Sequence, residues 1–439
     1  MSFNKTNINK LFYLFIITHL ILWTLVPTLT NHNLPLDTIE ALAWGSNLDW
    51  GFNKHPPASA FFLEVFFQIF GNNDFFYYLL SQLFVIIAFF AIWKLAFEFF
   101  KDKIYSLLSV LTLEGIYFYN YTTPEFNVYI TEIPFWALTV FYTWKSYNED
   151  NLKNFIILGF VSAIGILSHY LFIYLLLSIN LFLIYIFFIK KEKKFNFKYI
   201  VTLTIFTIII LPHLIWLNNN DFITLTYGMK RTTLENSTII NHIQYPFIFI
   251  LKQLGILIPF WLILFVSIKK FKTINLNFKD KKIIFLFFIN FIPLILIFMT
   301  SLILGAKIKT MWMTPFYLFF GLFFIYLFKS QINLKKLKSF IMVFIFFFIL
   351  SPIIYATISI SKKNKRTDYP GKLIAAEIQK KWNEDYNESI SVVLGNEWEA
   401  GNLSYHLQSR PVWKGFITQD KLNSLSKYTC IDRVCIGTN

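Results

Sequence analysis

The chain breaks into a succession of apolar runs, most of them close to 20 residues long, and this spacing limits its fold more than any other feature. About 20 consecutive apolar residues, at ~1.5 Å rise each, make a helix that spans the ~30 Å hydrocarbon core of a bilayer. Eleven runs qualify, near 11–29, 76–98, 104–120, 127–144, 154–168, 170–189, 199–217, 247–268, 283–304, 311–328 and 339–359. The fifth is short, and only Ser168-His169-Tyr170 separates it from the sixth. The first follows Lys5 and Lys10 but has no small-x-small site before "TNHN", so it reads as an uncleaved anchor.

Composition agrees. Hydrophobic residues make up 56% of the 439 and aromatic residues 20%, with a mean hydropathy of +0.53. A soluble domain has too little polar surface to cover that much apolar material. Phe, Ile, Asn and Lys are over-used together, as in AT-rich genomes, so a single Phe carries little chemical meaning. The net charge of +15 does not point to nucleic acid, because the basic residues form short clusters between apolar runs. That is the pattern of membrane orientation. With the N-terminus inside, the inner loops hold 21 lysines, in "KKEKKFNFK", "KKFKTINLNFKDKK" and "KSQINLKKLK" among others. Outer loops before residue 360 hold only Lys54, Lys230, Arg231, Lys307 and Lys309. The cytoplasm then faces the N-terminus, and segments 30–75, 121–126, 218–246, 305–310 and the tail face outward.

Two domains follow: a membrane domain over 1–359 and a small extracytoplasmic α/β domain over 360–439. In the tail, "GKLIAAEIQKKWNE" has helical spacing and "ISVVLG" is a β-rich run. Both cysteines, Cys430 and Cys435, fall there, as a disulfide suited to an oxidising compartment or as two free thiols. With no further Cys or His beside them, zinc is not expected.

Acids and bases converge on the outer loops. The first contains "LDTIEALAWGSNLDWGFNKHPP", with Asp37, Glu40, Asp49, Lys54 and His55. A helix over 37–47 sets Asp37 and Glu40 one turn apart on one face, and its Trp and Leu residues suit a helix lying at the interface. Gly51 permits a tight turn and Pro56-Pro57 stiffens the exit. Further loops bring Glu125, His213, Asp221, Lys230, Arg231, Lys307, Lys309 and Trp312 to the same side. Cations at head-group depth hold phosphate by charge-assisted hydrogen bonds, and a carboxylate among them can take a proton from a hydroxyl. Together they point to group transfer from an anionic lipid carrier. Each residue has a plainer reading, as snorkelling anchor or ordinary interfacial side chain. Glu114 and Glu132 lie inside spans, where charge is costly. No Walker loop, GxGxxG, HExxH or DxD occurs, so the usual nucleotide and zinc machinery is absent, no cofactor is expected beyond the lipid-linked donor, and metal dependence stays open.

In order along the chain, "LDTIEALAWGSNLDWGFNKHPP", "TPEFNV", "GILSHY", "LPHLIWLNNNDF" and "MWMTPFY" resemble the bacterial branch of the dolichyl-phosphate-mannose protein mannosyltransferase family, over about residues 30–320. That family includes the lipid A aminoarabinose transferases. The resemblance implies the multi-span GT-C glycosyltransferase fold, a polyprenyl-phosphate-sugar donor, inversion at the anomeric carbon and residence in the bacterial inner membrane. It assigns Asp37 as general base or acceptor-orienting group, with Glu40 and Glu125 as further catalytic candidates. Lys54, His55, Arg231 and Lys307 would face the donor phosphate, and Asp49, Trp50, Asp221 and Trp312 would contact substrate. The chain departs from the family pattern at Thr38 (often acidic), His55 and His169 (often Lys), Glu125 (usually Asp) and Met311 (often His). The acceptor is a glycolipid such as lipid A, or a protein hydroxyl. The rival reading is a multi-span transporter or flippase, for which Glu114 and Glu132 are the main argument.

Overall fold

The computed structural model describes residues 5–232, 238–268 and 276–438. Fifteen helices make the membrane part: α1 (Lys5–Thr30), α2 (Leu36–Gly45), α3 (Ala58–Phe70), α4 (Asp74–Phe100), α5 (Lys103–Leu111), α6 (Val128–Asn148), α7 (Leu152–Ser168), α8 (Ile173–Ile184), α9 (Lys198–Asn219), α10 (Ile223–Arg231), α11 (Asn241–Ile256), α12 (Ile258–Val266), α13 (Lys281–Leu304), α14 (Phe320–Leu327) and α15 (Leu337–Ser361). Helix starts are written in the sequence. Asn73, Asp102, Asn127, Asn151 and Asp280 each cap a helix by accepting a backbone N–H of its first turn. In the bundle α4 packs on α6, α6 on α7 and α7 on α9, while α1 lies between α4 and α15.

Among the described residues, six helices are long and apolar enough to cross a bilayer. Two further pairs do so only together, each bent at its middle: α11 with α12 by 42°, and the 3-10 turns of Thr310–Tyr317 with α14 by 51°. Pro259 and Pro315 stand at these bends. Helix α6 is long enough but carries buried Glu132, and α7 has only 17 residues. The expected span over 104–120 is not one helix. Helix α5 stops at Leu111, and 3-10 turns carry Thr112–Gly115 and Tyr117–Tyr119. Side chains replace the helical ladder there. Glu114 Oε1 lies 2.8 Å from His19 Nδ1, and Asn120 Nδ2 donates to the Glu114 carbonyl at 2.8 Å. A Cβ on Gly115 would come within 2.4 Å of Phe260 Cα, so only glycine lets the α11–α12 bend approach this closely.

The expected inner loops meet at one end of the bundle, where Lys145 pairs with Glu98, Lys198 with Asp150 and Lys281 with Glu192. Lys269, Lys270 and Lys272 of that set lie outside the described residues.

The tail folds as α16 (Gly371–Asp385), β1 (Val392–Leu394), α17 (Glu399–His406), β2 (Val412–Trp413), α18 (Gln419–Asn423), β3 (Lys427–Ile431) and β4 (Val434–Thr438). The sheet order is β2-β1-β4-β3, with β1 and β2 parallel and the other pairs antiparallel. Cys430 and Cys435 face each other across the β3–β4 hairpin and form a disulfide. This domain is docked, not tethered. Its apolar residues join the same core as the bundle. Gly401 of α17 lies against Ile39 and Ala43, so the apolar face of α2, which the sequence reading sets at the lipid interface, is covered by protein. Asn33 Nδ2 donates to Asn402, Tyr405 Oη to Asp74, and the Trp413 N–H to Ser46 Oγ.

Arg410 is the central pin of this contact: it pairs with buried Glu64, donates to the Leu42 carbonyl at 2.7 Å and stacks over Phe67. Arg410→Ala leaves Glu64 as an uncompensated buried charge, a defect that costs about 3–5 kcal/mol. The substitution is expected to lower the thermal unfolding midpoint and to make the tail cleavable by protease below that temperature. An unchanged midpoint and cleavage pattern would contradict the docking role.

Candidate functional site

The "GFNKHPP" knot is held from three sides. Helix α9 supplies His213, whose Nδ1 lies 2.6 Å from the Trp50 carbonyl and whose Nε2 lies 2.8 Å from Tyr170 Oη. It also supplies Trp216, whose ring lies on Gly51, where a Cβ would come within 2.3 Å of it. Helix α10 supplies Thr224, which donates to the Phe52 carbonyl at 2.6 Å. Within the knot, Phe52 stacks on Trp44 and its N–H donates to the His55 carbonyl. His213 is therefore a clamp on the knot.

The third side is the tail. Lys54 Nζ lies 3.0 Å from Glu40 Oε1 and 3.4 Å from Glu397 Oε1, and Asn53 Nδ2 donates to the same Glu397 oxygen at 3.0 Å. Glu397, only 4% exposed, stands just ahead of α17. Burial works against the Lys54 charge, but Glu40 and Glu397 outweigh it and hold the ammonium above its ordinary pKa. Nothing in "NEWEAG" marks Glu397 in the sequence, since its partner is more than 300 residues away.

Beyond the knot opens a pocket of ≈ 260 Å³ lined by Lys54, His55, Tyr129, His169, Arg231 and Trp312, among others. Arg231 Nη1 donates to Tyr227 Oη at 2.7 Å, one helical turn back on α10. The His55 and His169 rings lie 6.0 Å apart, and His169 Nδ1 is 3.4 Å from Glu132 Oε2. Asn127 caps α6 so that Tyr129 and Glu132, three residues apart, come to this side of the helix. Burial holds His169 down at about 3. Burial first, then His169, Arg231 and Lys54, holds His55 well below the usual histidine range. Both imidazoles are neutral at physiological pH, and the fixed positive charge comes from Lys54 and Arg231.

The acids stand on the adjoining wall. The Asp37 N–H, in the first turn of α2, donates to Glu125 Oε1 at 3.1 Å. Burial raises Asp37 above the ordinary carboxylate range, against the opposing pull of Arg231 and Lys54. Burial, then the Asp37 charge, raises Glu125 to about 8. As pH rises Asp37 ionises first, and Glu125 keeps its proton through neutrality. Glu40 is also raised by burial, which Lys54 partly offsets.

Other expected site residues are elsewhere. Asp49 accepts the N–H of Trp50, Trp50 is exposed with its ring edge against Phe61, and Asp221 is exposed at the α9–α10 turn. None of the three lines the pocket. Lys307 lines a neighbouring cavity instead. Tyr129, Tyr170 and Tyr227 line the pocket without having been singled out in the sequence. Tyr227 had a signal, its four-residue spacing from Arg231.

Residues 54–216 match the family model of dolichyl-phosphate-mannose-protein mannosyltransferase. The matched stretch holds Lys54, His55, Glu125 and His169, and ends before Arg231. Among solved structures the chain is similar to ArnT from Cupriavidus metallidurans bound to undecaprenyl phosphate, at 12% identity, TM-score 0.63, covering 94% of this chain and 87% of that one. The apo form of the same protein matches at 11% identity with the same TM-score and coverage. No curated protein sequence matches. The fold is ArnT-like, of the GT-C type. The resemblance read from the five motifs is borne out in both comparisons. At 94% coverage the GT-C likeness extends into the tail, beyond the 30–320 range of the motifs.

A carboxyl group with a pKa near 8 is protonated at pH 7. Infrared spectra of the protein at pH 7 are expected to contain a protonated-carboxyl band that fades as pH rises through about 8 and is absent from Glu125→Gln. A band that persists in that variant would assign the proton elsewhere.

Proposed function

We propose that the chain is a membrane glycosyltransferase that moves a sugar from a polyprenyl-phosphate-sugar donor to an envelope acceptor at the outer face of the bacterial inner membrane. The observation that carries this reading is the pocket in which Lys54, His55, His169 and Arg231 converge beside the Asp37–Glu125 pair. Fixed cations next to a buried carboxylate suit a reaction that releases a phosphate and takes up a hydroxyl proton. The family model's description and the undecaprenyl phosphate bound by the ArnT relative support the same donor class.

In the proposed reaction the acceptor hydroxyl attacks the anomeric carbon, and its proton passes to the Asp37 carboxylate. The bond from the anomeric carbon to the phosphate oxygen breaks, and polyprenyl phosphate leaves with the electron pair. Attack opposite the leaving group gives inversion. Lys54 and Arg231 stabilise the charge that grows on the leaving oxygen, the kind of preorganised electrostatic contribution that dominates many enzymes. His55 and His169 each offer a neutral N–H. Glu125, holding its proton, leaves Asp37 as the ionised carboxylate.

The acceptor we favour is a glycolipid such as lipid A, with a protein hydroxyl as the alternative. The transporter reading loses one of its main supports, because Glu114 is paired with His19 among Phe15, Phe89 and Phe348 and lines none of the cavities described.

General-base catalysis contributes about 10²–10⁴ in rate. Purified Asp37→Asn is expected to lose that factor in kcat while keeping its unfolding temperature, and Glu125→Gln to keep most activity at pH 7. Full activity in Asp37→Asn would refute its role. Equal loss in Glu125→Gln would mean that Glu125 works as an ionised group.

A further inference from the structure

Across the 305–309 segment from the Lys54–Arg231 pocket lies a second cavity, of ≈ 360 Å³, walled by Gln244, Tyr245, Lys252 and Gln253 of α11 and by Lys307 and Ile308. The two are neighbours, since the Lys307 N–H donates to the carbonyl of Thr232, which lines the first pocket. Lys252 is the unusual member. It stands eleven residues into α11, ~16 Å along the axis at ~1.5 Å per residue, within an apolar bent pair. Counted from the apolar run that begins near 247 it lies five residues in, ~8 Å, where a cation calls for water or an anion. The Lys307 ammonium sits 5.9 Å from the Tyr245 ring centroid.

Among the described residues, positive charge accumulates here without a counter-ion. Lys309 is pushed below the ordinary lysine range, first by its partial burial and then by Arg231, Lys307 and Lys252. Among the described residues no carboxylate pairs with Lys252, Lys307 or Lys309. Gln253, 7% exposed, accepts from Tyr317 Oη at 2.8 Å through its Oε1, and its Nε2 has no acceptor among the described residues. A buried donor of this kind is uncommon in a native fold unless something fills the space before it. The opposite side of α11 presents exposed Phe247, Leu251 and Leu254, an apolar stripe suited to lipid on the helix that walls the cavity.

We propose that this cavity binds the anionic, phosphate-bearing headgroup of the acceptor lipid and holds it beside the donor pocket. The acceptor role rests on the transferase reading above. Lys252 and Lys307 grip the phosphate, Gln253 Nε2 donates to it, and the acyl chains lie along α11. The donor's phosphate has its own cations in the first pocket, on the far side of 305–309. A lipid acceptor fits a cavity walled by a helix of an apolar bent pair better than a protein segment does.

Full-length protein in detergent, titrated with phosphatidic acid and with phosphatidylcholine and read by native mass spectrometry, tests the site without any transfer reaction. Wild type should retain one phosphatidic acid in preference to phosphatidylcholine. The Lys252→Gln/Lys307→Gln double variant should weaken that retention at least about tenfold, as expected when charge-assisted contacts are removed. Arg231→Gln and the inner-face control Lys94→Gln/Lys101→Gln, whose lysines line a separate cavity together with Lys145, should leave it intact. Unchanged retention in the double variant, loss in Arg231→Gln alone, or equal loss in the inner-face control would overturn the proposal. Displacement by an equal concentration of inorganic phosphate would also overturn it, in favour of a simple ion site. In transfer assays the double variant should raise the acceptor KM about tenfold and leave the donor KM and kcat unchanged. An active wild type whose acceptor KM is unmoved in the double variant refutes the acceptor assignment. A wild type that binds phosphatidic acid as expected yet transfers no sugar refutes the transferase reading instead.

Discussion

The ammonium of Lys54 is where three separate parts of the chain meet. Glu40 reaches it from α2, Glu397 reaches it from the docked tail, and the "NKHPP" turn carries it. One charge so held fixes the first outer loop against the C-terminal domain, and the pocket wall follows from that. His55 is placed by the same turn, while Gly51, Trp216, His213 and Thr224 bind the turn to α9 and α10. Arg231, at the end of α10, is thereby brought opposite Lys54. The tail belongs to the site as much as the bundle does, although it begins some 300 residues later.

Electrostatics divides the site into two halves. The pocket half has two fixed cations and two neutral imidazoles. The adjoining half has two buried acids linked by the hydrogen bond from the Asp37 N–H to Glu125, of which one holds its proton through neutral pH. Burial and the neighbouring Asp37 charge make a second ionisation costly, so the pair sorts itself into an acid and a base. That division suits the proposed transfer, which needs one carboxylate ready to take a proton and a separate place for an anionic leaving group.

How much was legible in the sequence depended on the range of the interaction. Helix starts are set locally, because caps act over two or three residues, as the structure shows at Asn127 and Asp280. Most spans were legible because apolar length is a local property. The run over 104–120 misled because its hydropathy is ordinary, while the groups that unwind it, His19 and Phe260, come from elsewhere in the chain. In the site, Asp37, Lys54, His55 and Arg231 were readable as charges in outer loops, and the structure brings them together. Lys307 was readable as a charge but not as a member of a different cavity, since that depends on which side of 305–309 its side chain takes. Asp49, Trp50 and Asp221 belong to the right loops and stand outside the pocket. Glu397 and the Glu132–His169 contact were invisible, because a carboxylate's partner across the fold leaves no spacing signal.

The central claim, a transferase acting on an envelope acceptor, is tested most directly by mass spectrometry of envelope glycolipids and glycoproteins from cells with the gene, without it, and with it restored. The account predicts one sugar-sized mass increment that disappears from a glycolipid on deletion and returns on restoration. An envelope whose glycolipids and glycoproteins are identical in all three strains would contradict it.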